Sequence, residues 1–116
     1  MHRLRTEQGG CAIAAPVWHE LVFGCRILPR ASARRKTLER YLEEVVSRAF
    51  PVLPYDTAAA AWHAAERARL AAKGVTPPFV DGQIAAVARI NGLVLVTRNL
   101  RDFRRFGDLA VENWFD

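Results

Sequence analysis

Little in this 116-residue chain suits covalent or redox chemistry. It has two cysteines, Cys11 and Cys25, both in apolar surroundings and without metal-ligand partners beside them. Reduced, packed thiols are therefore expected, and a disulfide or zinc site is not. The histidines, His2, His19 and His63, form no ligand spacing, and His63, on an alanine-rich stretch, is expected at the surface or an interface. A serine-centred elbow and a phosphate-cradling glycine loop are both missing. No apolar run approaches a membrane span, and the opening MHRLRTEQGG lacks the apolar core of a signal peptide. The expectation is a cytoplasmic protein with no membrane partner. Repeats, low-complexity tracts and linkers are absent as well, so residues 1–116 read as one small domain.

What the chain does have is an ordinary globular composition, 51% hydrophobic and 25% charged, with a net charge of +5. That balance favours an acidic partner, either nucleic acid or an acidic protein.

The most informative stretch is TPPFVDGQIAAVARINGLVLVTRNLRDF, from Thr76 to Phe103. Pro77 and Pro78 can precede a helix but not sit inside one, which starts the helix near Phe79. Asp81 then lies in its first turn, where free N–H groups and the helix dipole favour a negative charge. Ile84, Ala85 and Ala88 follow at helical spacing, and Asn91-Gly92 signals the stop. Leu93 to Val96 is a continuous apolar run of strand length, the pattern of a strand buried on both faces. Such a helix–strand unit belongs to a parallel α/β sheet, whose site forms at the strand C-termini. Thr97, Arg98 and Asn99 stand at that end, with Asp102 just beyond.

Upstream, Cys11 to Ala15 reads as a short strand and Pro16 to Leu28 as a helix carrying Glu20 near the strand's end. A second helix covers about Ala33 to Ala49, with Leu38, Tyr41, Leu42, Val45, Val46 and Ala49 facing inward. Phe50 to Leu53 is a brief strand. Asp56 caps an alanine-rich helix that ends near Lys73-Gly74. Asn99 resembles the cap of a short turn from Leu100 to Phe106, and Leu109 to Val111 forms a last edge strand. Trp114-Phe115 can fold back on the core.

Glu20, Asp81 and Asp102 share the strand ends. Oxygen-rich clusters of this kind bind Mg²⁺ or Mn²⁺, which activate water against a phosphodiester. Each acid also has an ordinary reading. Glu20 can be a solvated helix residue, Asp81 a helix-terminus charge, and Asp102 part of a capping arrangement with Asn99. Arg98 and Arg101 can contact phosphate, or dock a partner's acids, or stay exposed.

The segments WHELVFG, VLPYDTAAA and PPFVDGQIAAVARINGLVLVTRNLRDF together resemble the PIN-domain ribonucleases, specifically the VapC toxins of bacterial toxin–antitoxin pairs. The likeness runs from about Cys11 to the C-terminus. It implies an α/β fold, a PIN-like parallel sheet flanked by helices. It also implies a metal-dependent endoribonuclease that cuts single-stranded RNA, dimerises and is held by a cognate antitoxin. Carried onto this sequence, Glu20, Asp81 and Asp102 become the catalytic and Mg²⁺ (or Mn²⁺) ligands. Asn99, Thr97 and Arg98 become supporting or substrate-binding groups.

One departure stands out. Family members open with a short strand ending in an aspartate, of the form L-D-T-N, that lies mid-sheet and supplies a central metal ligand. Here residues 1–10 match at most the end of the family's first helix, so the chain is N-terminally truncated relative to the pattern. A gap would leave backbone groups unpaired between the strands at Cys11–Ala15 and Leu93–Thr97, at roughly a kilocalorie or more each. Three explanations are open: a fragment or wrongly assigned start, a sheet that closes around the gap, or a second chain that fills it. The loss of one acid also makes a catalytically inactive remnant that binds antitoxin or RNA the alternative to a nuclease. A plain RNA-binding module ranks last, for want of an aromatic stacking platform.

Overall fold

The computed structural model describes residues 3–5, 11–97 and 99–113. In chain order the elements are β1 (Arg3–Arg5), β2 (Cys11–Ala14), α1 (Ala15–Arg26) and α2 (Ala33–Tyr41). The α2 helix runs through a π-helical turn (Leu42–Val46) into α3 (Ser47–Ala49), followed by β3 (Val52–Leu53) and α4 (Thr57–Ala71). Then come α5 (Phe79–Ile90), β4 (Val94–Val96), α6 (Leu100–Phe103) and β5 (Val111–Glu112).

Five strands form one sheet in the order β3-β2-β1-β4-β5. The outer pairs, β2 with β3 and β4 with β5, are parallel as expected. The sheet as a whole is mixed, which corrects the expectation of a parallel one. Its middle strand, β1, runs antiparallel to both neighbours, with Leu4 opposite Ala12 on one side and Leu95 on the other. Residues 3–5 are therefore strand and not the end of a helix. Three residues cannot hold a helix alone, whereas two strands with open edges recruit any segment that can pair with them. The sheet has no gap between β2 and β4: Cys11 and Ala12 on one side and Val94 to Val96 on the other face β1. Residues 1–2 and 6–10 lie outside the described residues, as do Arg98 and Trp114 to Asp116.

Local chemistry sets the helix ends. The Ser32 hydroxyl accepts from the Arg35 amide at 3.3 Å, and the Asp56 carboxylate accepts from the Ala59 amide at 2.9 Å. Helices α4 and α5 both stop at a left-handed glycine, Gly74 and Gly92. In each case the next residue's amide reaches back five positions, from Val75 to Leu70 and from Leu93 to Ala88, both at 2.9 Å. The inner face expected for the second helix is only half right. Leu42 and Val46 are buried, but Tyr41, Val45 and Ala49 are exposed. The π-helical turn adds a residue to the local period and rotates the rest of the face away from the core.

The core gathers Leu4, Ile13, Leu95, Val87, Phe103 and Phe106 around the sheet. Residues Ile84 to Ala88 of α5 are all buried, because α4, α1 and the sheet each cover part of that helix. Alanine and glycine there let the backbones approach closely. Phe103 is fully buried, worth about 2–3 kcal/mol, and that burial fixes the loop that carries Asp102.

Candidate functional site

The strands β2 and β4 point the same way along the sheet, and each candidate acid follows one of them or faces them. The α1 helix begins directly after β2 and carries Glu20. Asp81 occupies the first turn of α5, whose N-cap is Pro78. Asp102 sits in α6, just past β4.

Asp81 lies within reach of the charge of Asp102. Burial pushes the Asp81 carboxyl above the usual carboxylate range, the charge of Asp102 pushes it further, and Arg105 partly opposes both. Asp102 in turn makes a loose ion pair with Arg105, Oδ1 to Nη2 at 3.5 Å. Glu20 and Asp81 line one cleft of about 270 Å³ between α1 and α5, walled by Pro16, Val17, Leu21 and Ile84. Asp81 is thus linked to each of the other two acids, to Asp102 by charge and to Glu20 by a shared cleft. Among the described residues, no three His, Cys, Asp or Glu side chains are close enough to hold one metal ion together.

The supporting residues divide in the same way. Thr97 is fully buried at the end of β4; its amide donates to the Glu112 carbonyl at 2.9 Å, and its hydroxyl accepts from the Asn99 amide at 3.1 Å. Thr97 therefore shapes the loop. Asn99 is exposed and its side chain makes no cap bond; its carbonyl instead accepts from the Asp102 and Phe103 amides. Arg98 lies outside the described residues. The capping role weighed for Asp102 is replaced by its pairing with Arg105, a partner visible in the sequence as an i, i+3 spacing.

His63 is not at the surface. It is 3% exposed, bonded through Nδ1 to the Tyr55 hydroxyl at 2.8 Å and stacked obliquely on Phe79, centroids 4.8 Å apart. Both cysteines are free thiols, Cys25 buried and Cys11 partly so. A second, apolar cavity of about 490 Å³ opens between α1 and α2, floored by Leu21, Cys25, Leu42 and Val46, with Glu20 and Arg3 also in its lining. Because β1 is antiparallel, its first residue, Arg3, pairs with Val96 at the strand end nearest the acids. The middle strand thus brings an arginine to that end of the sheet.

The oxygen donors of Asp81 and Asp102 are of the kind a hard divalent cation takes. All-oxygen donors suit Mg²⁺ or Mn²⁺, which accept one or two carboxylates and keep waters for the rest. Burial first, and the charge of Asp102 second, disfavour the ionised Asp81 carboxylate, and a cation held there would offset both. The fit is to this pair, with Glu20 across the cleft, and not to a three-acid cage.

Comparison with known proteins agrees with this architecture. The sequence pattern of the PIN domain family matches residues 2–109. The tRNA(fMet)-specific endonuclease VapC of Shigella flexneri is 33% identical over 112 residues, covering 97% of this chain and 81% of that protein. Ribonuclease VapC2 of Haemophilus influenzae is 40% identical over 114 residues, covering 98% and 83%. Among solved structures, DNA-bound VapBC from Salmonella typhimurium superposes with a TM-score of 0.77 at 36% identity, over 89% of this chain and 74% of that one. FitAcB from Neisseria gonorrhoeae gives 0.79 at 29% identity, over 90% and 76%. Fold, sequence pattern and relatives agree: the chain belongs to the PIN-domain family, as a member of its VapC type.

Proposed function

We propose that this chain is the toxin of a toxin–antitoxin pair, an endoribonuclease that hydrolyses single-stranded RNA with the help of Mg²⁺ or Mn²⁺. The observation that carries this reading is the cleft lined by both Glu20 and Asp81, with the charge of Asp102 acting on Asp81 beside it. The names of the VapC relatives, an endonuclease and a ribonuclease, supply the reaction class.

In this mechanism Asp81 and Asp102 hold the cation, and Glu20 faces the same cleft from α1. A cation held there would activate a water and screen the phosphate charge. Asn99 is exposed beside the acids and offers an amide to the substrate. Thr97 holds the loop in place, and Arg98 is assigned to the phosphate. RNA cleavage by the purified protein should require Mg²⁺ or Mn²⁺, stop in EDTA, and vanish in Asp81→Asn. Cleavage that survives either change contradicts the assignment.

The partner under this reading is a cognate antitoxin, by analogy with the VapBC and FitAcB structures among the relatives; a homodimer belongs to the same reading. A second reading, a silent protein that binds antitoxin without cutting RNA, is favoured by the apolar cavity between α1 and α2. Tight antitoxin binding with no metal-dependent cleavage would select it.

A further inference from the structure

A wide, shallow groove of about 710 Å³ lies between the end of α4 and α6, and Arg105 connects it to the acids. Its walls carry four cations: Arg69 and Lys73 from α4 and its end, Arg101 and Arg105 from α6 and the turn after it. Leu70, Val75 and Thr76 are also in its lining; among the described residues no carboxylate lines it, although Glu66 and Asp102 pair with Arg69 and Arg105. From this arrangement we propose that the groove is a backbone-binding site for single-stranded RNA, holding the phosphates that flank the bond to be cut.

The walls are held in register. Arg69 donates through Nε and Nη2 to both oxygens of Glu66, each at 2.9 Å, and through Nη2 to the Arg105 carbonyl at 2.8 Å. Glu66 also accepts from the Gly107 amide. Glu66 thus ties α4 to the segment after α6, and Arg69 spans the two walls. Lys73 and Arg101 are exposed on opposite walls, where a ligand can reach both. Arg105 joins the groove to the acid pair, because its guanidinium touches Asp102 and its charge reaches Asp81.

The chemistry of the lining selects the ligand. Among the described residues no aromatic side chain lines the groove, so its cations offer contacts to phosphate, independent of sequence. A protein partner is the poorer match. Interface cores are built on apolar and aromatic anchors, whereas among the described residues the apolar lining here is Leu70 and Val75. Through Arg105 the cations also adjoin the acid pair, as a strand passing through the site requires. The proposal rests on the nuclease reading for its substrate class, but its test does not depend on cleavage.

The experiment is binding of a fluorescein-labelled single-stranded RNA 20-mer, followed by anisotropy in EDTA across a range of salt. The proteins compared are wild type, Lys73→Glu, Arg101→Glu, the double variant and Asp81→Asn, each checked for folding by circular dichroism. Each groove reversal should weaken binding roughly threefold to tenfold, and the slope of log affinity against log salt should become shallower by about 0.7 for each phosphate left without its cation. Asp81→Asn should bind at least as well as wild type. Unchanged affinity and slope in the double variant overturn the proposal, even if Asp81→Asn has lost cleavage. Groove variants that release an acidic peptide but keep RNA overturn it too. If Asp81→Asn still cleaves while the groove variants lose RNA, the assignment of the acids fails and the groove stands.

Discussion

The imidazole of His63 occupies the space that a β-carbon on Gly82 would fill. Gly82 follows Asp81 in the first turn of α5, so this contact seats the turn that carries the candidate acid against α4. The imidazole is itself held by Tyr55 and Phe79, and Arg67 lies over the Phe79 ring, 5.3 Å from its centroid. A buried titratable group thus stands behind the candidate site.

Gly82→Ala should destabilise the fold. Alanine gains up to about 1 kcal/mol of helix propensity over glycine, while overpacking a locked neighbour costs about 1–3 kcal/mol. The expected net loss is on the order of 1 kcal/mol by urea unfolding, with His63→Ala in the same chain recovering part of it. A Gly82→Ala protein as stable as wild type would show that the imidazole moves aside freely.

Stability should also depend on His63 below neutral pH. Burial, aided by the charge of Arg67, holds its imidazole below the ordinary value of 6.5. The unfolded chain therefore binds this proton at higher pH than the folded one. The contribution is fully present above about pH 6.5 and is lost as pH falls from there through the lowered folded value. A urea midpoint measured between neutral and mildly acidic pH should decline, and His63→Gln should flatten the part of the decline that begins near the ordinary imidazole value. Equal slopes in the two proteins would rule His63 out as the cause.

Asp81 works in the opposite sense. A carboxyl raised in the folded state costs stability wherever it is ionised, most of all at neutral pH, and the cost is relieved as pH falls through its raised value. Asp81→Asn should therefore melt slightly higher than wild type at neutral pH. A lower melting temperature would mean that the acid is satisfied by contacts rather than strained by its neighbour.

The middle strand can be tested through two substitutions of very different weight. Leu4 is 1% exposed between two strands, and Leu4→Ala should cost about 2–5 kcal/mol. The Arg5–Glu112 ion pair, 2.9 Å across the sheet to β5, is partly exposed, and Glu112→Ala should cost less than about 1 kcal/mol. Similar effects from the two would argue against β1 as the centre of the sheet.

The parts legible in the sequence are those set by short-range chemistry. Asp56 as a cap, Phe79 as the start of α5 and Gly92 after its end follow from residues within a turn of each other. Parallel outer pairs follow from helix–strand alternation. The direction of β1 is not legible, because nothing in Arg3-Leu4-Arg5 specifies which way a strand enters a waiting slot; only its neighbours decide. His63 misleads for a related reason. An alanine-rich helix looks solvated, yet its small residues are what admit α5 close enough to bury the ring. Three acids at strand ends are visible, but not that Asp81 is the one linked to each of the others, since side-chain reach across elements is not written in spacing.

The central claim is that Asp81 and Asp102 still form a cation site. Calorimetric titration of the purified 116-residue chain with Mn²⁺ tests it directly, with Asp81→Asn and Asp102→Asn as controls. Saturable binding that either substitution removes is the predicted result. A folded wild-type protein that takes up no Mn²⁺, or variants that bind it equally well, would contradict the claim.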